Sequence, residues 1–392
     1  MHQNRLQATL AGQICFVVLL LLSALPVSAQ ESQEQHIAEL VASLETRPVR
    51  AVVQLRAIDA ATLRASASAV AAVPMLAKLV KNSRESDIRS SAITILGKIG
   101  PAAAAAVPAL VEALGIDSKN GVGDGSDGAA EALGKIGPAA ASAVPALIQA
   151  INDITGGGAF RAAAAQALGK IGSAAEVVPA LMGVLRGGDG TQDGDVVRYA
   201  VADALGNLGP SAASAAPLLV EALGDHGPRG TAVGSAAGAL MKMGDSIAYV
   251  LPDLIKVLRD SRLQRWTGDS WSSPEPDTVA RSSAAMVIVN TGLTSPAVSA
   301  LAASLGKSGS SDSAKALAEL SRSLHKNTAN LKDDALSAAI KDIANTQQAL
   351  ETEIRGNPAN GKQLRSGSAS LRSMLGALRK EQARRRQTNL SK

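Results

Sequence analysis

The side chains able to do chemistry are few in this sequence and stand far apart. Among 392 residues there are 4 His and 1 Cys. His36, His226 and His325 lie in separate regions, and Cys15 sits inside an apolar run near the start. A zinc centre needs three or four converging ligands, and a nucleophile needs a base beside it. Neither spacing occurs, and no G-x-S-x-G elbow is present. Gly123-Asp124-Gly125-Ser126-Asp127-Gly128 has the glycine order of a dinucleotide loop, but that motif works only after a strand in a βαβ unit. Here a helical pattern precedes it. Gly306-Lys307-Ser308 ends like a phosphate loop, yet Leu301 stands where the first glycine belongs. Asp189, Asp193 and Asp195, or Asp124 and Asp127, offer the oxygen ligands that calcium prefers. Neither set follows the EF-hand order, and Asp-Gly is ordinary turn chemistry. The sequence therefore predicts no catalytic residue, no metal site and no cofactor.

The elements that carry these residues come from an internal repeat. Leu96-Gly97-Lys98-Ile99-Gly100-Pro101 returns as Leu133 to Pro138, Leu168 to Ser173 and Leu205 to Pro210, and more loosely as Leu240 to Asp245. Seven or eight residues after each turn glycine comes a proline: Pro108, Pro145, Pro179, Pro217 and Pro252, with Pro74 marking an earlier unit. Around each proline the apolar residues fall at i, i+3, i+4 and i+7, as in Val107, Leu110, Val111 and Leu114, which is one face of a helix. Val298, Leu301, Ala302 and Leu305 make a seventh copy. An earlier helix, such as Asp87 to Lys98, ends at the glycine, where a left-handed residue and a following proline stop it. Pro108 suits the first turn of the second helix. One such pair cannot bury its own apolar face, so neighbours must stack. The expectation is an all-α protein: a right-handed α-solenoid of about seven helix–turn–helix repeats.

An arginine recurs 11 residues before the turn glycine, at Arg89, Arg161, Arg198 and Arg281. Locked to the repeat, it reads as a structural ladder that fixes stacking, with a basic binding surface as the other reading. The pattern Asp-x-x-Val-Arg, an Ala-rich stretch and Leu-Gly-x-Ile-Gly-Pro resembles HEAT repeats of the phycobilisome-lyase type, over about Leu44 to Ser308. That resemblance implies the solenoid fold. It implies no single function, because the fold hosts scaffolds, adaptors and a few enzymes. Deoxyhypusine hydroxylase, a HEAT-repeat enzyme, carries His-Glu iron ligands that this chain lacks.

Between Leu258 and Val298 the repeat lengthens, and the added residues Arg262 to Pro276 hold both tryptophans, Trp266 and Trp271, next to Arg265. Long solenoid loops gather on one face, often the binding face, and Trp with Arg anchors many recognition surfaces. The other reading has the tryptophans covering a seam between repeats six and seven.

The flanks differ from the repeats. Residues 1–29 read as a secretory signal: Arg5, then an apolar run from Ile14 to Leu25, then Val27 and Ala29 as the small residues of a cleavage site. The run is too short to span a bilayer, so no membrane-spanning segment is expected after cleavage. Loss of Cys15 with it leaves a chain suited to an oxidising compartment, periplasmic or secreted. Residues 30–45, with Ile37, Leu40, Val41 and Leu44, form a capping helix for the solenoid at 46–309. Residues 310–392 carry heptad-like leucines, among them Leu317, Leu324 and Leu331, and read as a helical hairpin or small bundle.

Charge follows the same division. Residues 30–309 hold 23 Lys or Arg against 26 Asp or Glu, and residues 310–392 hold 15 against 8. Arg379, Lys380, Arg384, Arg385 and Arg386 end the chain as a basic cluster, read either as a solvated helix end or as a site for anionic lipid or polymer of the envelope. Nucleic acid is not an expected partner, since no aromatics interleave these charges. The reading is a protein-binding scaffold outside the cytoplasm that uses Trp266, Trp271 and Arg265. The alternatives are an envelope-associated protein holding anions through its basic end, and an enzyme with an unfamiliar site.

Overall fold

A computed structural model describes residues 27–115, 126–187, 192–224, 232–259, 278–308, 310–331, 333–356 and 361–390. Every regular element among them is helical, and the fold is an all-α solenoid. Packing divides the chain into two units, Met1–Gly156 and Gly157–Lys392. The division falls inside the solenoid predicted at 46–309, at the Gly156-Gly157-Gly158 run, where three residues without side chains weaken any helix.

The first unit opens with α1 (Val27–Ala42), which includes three residues that the sequence assigns to the signal. Its Ile37 and Leu40, with Leu44 just beyond, are buried, against α2 (Pro48–Ala57) and α4 (Ala67–Ala71), which flank α3 (Ala60–Ala65). The Glu34 carboxylate accepts the Ser68 N–H at 2.8 Å. Burial pushes this carboxyl up, but hydrogen bonds from Ser66 and Ser68 outweigh that and hold it below its ordinary value. Three repeats follow: α2 and α3 then α5 (Val73–Asn82), α6 (Ser86–Ile99) then α7 (Val107–Ala113), and α8 (Ser126–Ile136) then α9 (Val144–Asn152).

The expected turn inside each repeat is itself helical. Gly100–Ala106 is a seven-residue 3-10 helix, longer than this geometry usually sustains, and Gly137–Ala143 is two short 3-10 turns joined at a kink at Ala140. They persist because Ala103, Ala106, Ala140 and Ala143 bury there with almost no bulk. Gly100 turns the chain with φ +73°, as Gly137, Gly209, Gly244 and Gly292 do at their positions. Residues Ser86–Ala113 match a membrane span in length and apolarity, but this break folds them into two helices of the stack.

The other motif glycine has a different task. A Cβ at Gly97 would stand 3.1 Å from the Ala132 Cα on the next first helix. In the second unit the same pairing recurs: a Cβ at Gly169 would stand 2.7 Å from the Ala204 Cα, and one at Gly206 2.9 Å from the Ala239 Cα. First helices of successive repeats thus touch backbone to backbone. The motif lysine reaches the preceding first helix: Lys98 Nζ donates to the Arg56 and Ile58 carbonyls at 2.5 and 2.9 Å, at the end of α2. Lys242 Nζ reaches Asp203 at 3.1 Å and Asn207 at 2.9 Å.

The second unit holds α10 (Gly157–Ile171) with α11 (Ala174–Gly187), α12 (Gln192–Leu208) with α13 (Ala216–Gly224), α14 (Ala232–Met243) with α15 (Leu251–Arg259), and α16 (Thr278–Asn290) with α17 (Thr294–Ser308). Gly209–Ala215 and Gly244–Val250 are its two seven-residue 3-10 segments, packed side by side. Three longer helices complete it: α18 (Ser311–Asn327), α19 (Asp333–Gly356) and α20 (Gly361–Leu390). α18 continues the stack against α16 and α17, and α20 crosses α18 and α19. Gly367 lets α20 approach, since a Cβ there would meet a Leu305 methyl at 2.3 Å. The leucine spacing Leu317, Leu324, Leu331 suggests one continuous seam. The helix instead stops at Asn327, whose side chain bonds back to the Ser323 carbonyl, and Leu331 is buried beyond a short 3-10 turn.

The fourth repeat departs from this scheme. Only seven residues separate Gly172 from Pro179, against eight in the four other glycine-to-proline turns, and Ser173 replaces the proline. Gly172 does not take the positive φ of its counterparts. Its bare Cα makes room for Val177, whose methyl lies 2.0 Å from where a Cβ would stand. No 3-10 segment forms. α11 runs for 14 residues with Pro179 inside it, whereas the second helices α7, α9, α13 and α15 have 7 or 9.

The close approach predicts opposite effects for one substitution at two glycines. Gly169→Ala drives a methyl into the Ala204 backbone and lowers unfolding free energy by about 1–3 kcal/mol. Gly238→Ala, in α14 with open space around it, raises it by about 0.5–1 kcal/mol. Urea titrations followed by circular dichroism measure both.

Candidate binding surface

The residues expected to bind distribute unevenly. Arg265, Trp266 and Trp271 lie outside the described residues, as do Asp124 and Asp189. Asp127 is on the first turn of α8, where its carboxylate accepts the Gly128 N–H at 2.8 Å. Among the described residues no three His, Cys, Asp or Glu side chains gather closely enough to hold a metal ion.

The repeat arginines sit inward. Arg161 and Arg281 are only 7% and 8% exposed, which keeps them from a solvent-borne ligand, and Arg198 is half-buried. Arg89 donates to the Ser83 carbonyl at 3.2 Å, at the C-terminal end of α5. It therefore ties the second helix of one repeat to the first helix of the next.

The basic cluster on α20 splits in two. Arg384 donates both a Nε and a terminal N–H to Glu381 at 2.8 Å. Arg385 donates to Glu381 at 2.7 Å and Asp333 at 2.6 Å, and also to the Thr328 and Ala329 carbonyls. Arg385 thus fastens α20 to the start of α19. The Arg384 hydrogen bond, with help from Arg385, outweighs burial and pulls the Glu381 carboxyl down to about 2. Arg379, Lys380 and Arg386 remain exposed. Sequence reasoning grouped all five cations and passed over Glu381, although its spacing of three and four residues from Arg384 and Arg385 is a helix-pairing signal.

One pair looks like a nucleophile and base. Ser373 Oγ on α20 lies 3.5 Å from His325 Nε2 on α18, and His325 Nδ1 lies 2.8 Å from the Ser321 carbonyl. Both residues are inside helices, where neighbouring N–H groups are committed to the backbone ladder. An acyl-transfer site needs free donors at the developing oxyanion, so this contact joins two helices without the rest of a catalytic site.

Two features of the second unit remain open to a ligand. Val196 and Tyr199 on α12 are 52% and 50% exposed, and Val279 on α16 is 46% exposed. Val196 and Val279 occupy one register position, each 13 residues before its turn glycine, Gly209 or Gly292. Both lie near the N-terminal end of a first helix, where the connection from the preceding repeat arrives.

The second feature is a hollow of roughly 410 Å³ between α11 and the 3-10 segment Gly209–Ala215. Ala175, Val178, Met182 and Arg186 form one face of α11, and Ser211 and Ser214 face them from the 3-10 segment. The shortened turn of the fourth repeat leaves this space. Leu185 on α11 is half-buried, while Leu114, Ile151, Leu223 and Leu258 at the same position are fully enclosed. Pro179, also at the hollow, has no N–H to give the Ala175 carbonyl. Nothing in the sequence pattern alone singled this place out, but the missing residue between Gly172 and Pro179 was a visible mark of it.

The Glu381 network makes stability pH-dependent with a defined sign. The folded carboxyl titrates near 2 and the unfolded one near its ordinary 4.5, so the stabilisation is present above pH 4.5 and lost as pH falls toward 2. Thermal unfolding midpoints of the wild type drop across this window. Glu381→Gln starts lower at pH 7 and drops less over the same range.

Comparison with known proteins agrees with the repeat geometry. A family model for HEAT repeats matches residues 127–193, and one for the PBS lyase HEAT-like repeat matches residues 88–115 and 197–225. No curated protein matches the sequence. Among solved structures, the karyopherin Kap121p bound to the extreme C-terminus of the protein phosphatase Cdc14p is similar at 10% identity and a TM-score of 0.43, covering 90% of this chain and 42% of that one. Importin beta follows at 12% identity and 0.39, covering 84% and 60%. Yeast importin-beta (Kap95p) stands at 13% and 0.36, covering 85% and 49%. The chain thus spans less than two thirds of each of these neighbours.

Proposed function

We propose that this HEAT-repeat protein is a non-catalytic scaffold that binds another protein outside the cytoplasm. The observation that carries the reading is the register of exposed apolar residues in the second unit. A repeat stack buries its inner positions by necessity, so an aliphatic side chain left half in water at the same register of α12 and α16 is unused contact surface. The connections that interrupt the repeat all join a second helix to the next first helix, as at 188–191, 225–231 and 260–277, and α16 with Val279 follows directly on the last of them. Arg265, Trp266 and Trp271 belong to that connection in the sequence, and Trp with Arg are the residue types that anchor protein-recognition surfaces. The extracytoplasmic setting rests on residues 1–29 and on the lack of cysteine after them.

Anionic lipid or polymer bound through α20 is the second reading, supported by exposed Arg379, Lys380 and Arg386. It is weakened by the internal pairing of Arg384 and Arg385.

Affinity capture from the extracytoplasmic fraction tests the scaffold. A partner held by the wild type is lost, or retained at least about tenfold less, when Trp266 and Trp271 are both alanine, since buried aromatic anchors each contribute about 2 kcal/mol or more. Retention of every partner by that variant removes the tryptophans from the interface. Export is tested separately: N-terminal sequencing of the accumulated protein finds Gln30 first, and an intact Met1 in the soluble cytoplasmic fraction refutes the setting.

A further inference from the structure

The hollow beside α11 is a break in the repeat that has acquired its own chemistry. In the other repeats the residues two and five places after the turn glycine are Ala102 and Ala105, Ala139 and Ser142, or Ser246 and Tyr249. Only at the segment bordering the hollow are both serine, Ser211 and Ser214, and both are exposed. Arg186 holds a position that is Lys81, Gly115, Asn152, Gly224, Arg259 or Gly306 in the other repeats. It is exposed, and no carboxylate of the described residues pairs with it. Two departures from the repeat, the deleted residue and the serine pair, thus fall on one depression, with the exposed Arg186 at its edge.

We infer that this hollow binds a short extended peptide carrying an aliphatic side chain and a carboxylate a few residues apart. The inference deepens the scaffold reading and rests on it. Val178 and Met182 give the aliphatic side chain an apolar floor. Arg186, at the far end of the same stripe, offers the guanidinium fork that matches a carboxylate. Val178 and Arg186 are eight residues apart on α11, or about 12 Å along the axis, which an extended chain covers in about four residues. The serines set the backbone form. Three residues apart on a 3-10 helix, they are about 6 Å apart and share a face, close to the roughly 7 Å at which an extended strand repeats like-facing backbone groups. The Ala175 carbonyl, which Pro179 leaves without its usual helical donor, accepts a peptide N–H from the opposite wall. A helical ligand has no free backbone groups for either wall.

A phage library of random heptapeptides is selected against the purified full chain, and the recovered peptide is synthesised with a fluorescent label for anisotropy titration. The expected selection shares an aliphatic residue three to five places from Asp or Glu. Arg186→Glu weakens binding about tenfold or more, and a peptide with Lys in place of the acid regains affinity for that variant. Ser211→Ala with Ser214→Ala weakens it less, and Arg379→Glu on α20 leaves it unchanged. Circular dichroism verifies that each variant is folded. A selection with no shared spacing, an empty selection, or equal binding by Arg186→Glu overturns the inference. The scaffold reading is judged by the capture experiment alone: a partner that leaves the double tryptophan variant but stays with Arg186→Glu sinks the hollow and keeps the scaffold.

Discussion

The stack depends on how closely two helix backbones can approach. With aromatic residues at 2% of the chain, large side chains are not available to fill gaps between layers. Packing must come from shortening the distance instead. Gly97, Gly169 and Gly206 each face an alanine on the next first helix; an added methyl would be crowded at Gly97 and has no room at Gly169 and Gly206. Contact at this range recovers the dispersion energy that bulky residues would supply elsewhere. At the Gly206–Ala239 contact it also sets Lys242 over Asp203 of the preceding repeat, so the polar clasp there accompanies the apolar one.

Much of this was legible in the chain. The proline-anchored spacing located the second helices, and most of their i, i+3 and i+7 residues are buried, as in Val107, Leu110 and Leu114, while Leu185, Leu251 and i+4 residues such as Val111 are half-buried. The turn glycines were legible because a positive φ has few other occupants. The first glycine of the motif was not, because a close approach depends on what lies opposite, and sequence order does not show that. The 3-10 form of the turns escaped for a related reason: seven alanine-rich residues fit several backbones, and burial against the next turn selects one. The α20 cluster was misjudged as a set of equals, since the position of Asp333 beside Arg385 is a tertiary fact.

The candidate site was legible only as an irregularity. A repeat makes every deviation measurable, and one deleted residue at 172–179 changed three things together: the glycine conformation, the helix length and the seal of Leu185. Catalytic sites announce themselves by residue type, whereas a groove between repeats is made of ordinary alanine, valine and serine. Its signal lies in the comparison of one unit with its siblings.

The 3-10 segments carry a mechanical consequence. A 3-10 helix sits close in energy to the wider α form and can lengthen or tighten by exchanging one for the other. Repeats that contain such a segment therefore possess a built-in spring between their two helices. The fourth repeat has no such segment, so under load extension in the second unit concentrates in the 3-10 segments of the fifth and sixth repeats, and the first of these is the wall across the hollow from α11.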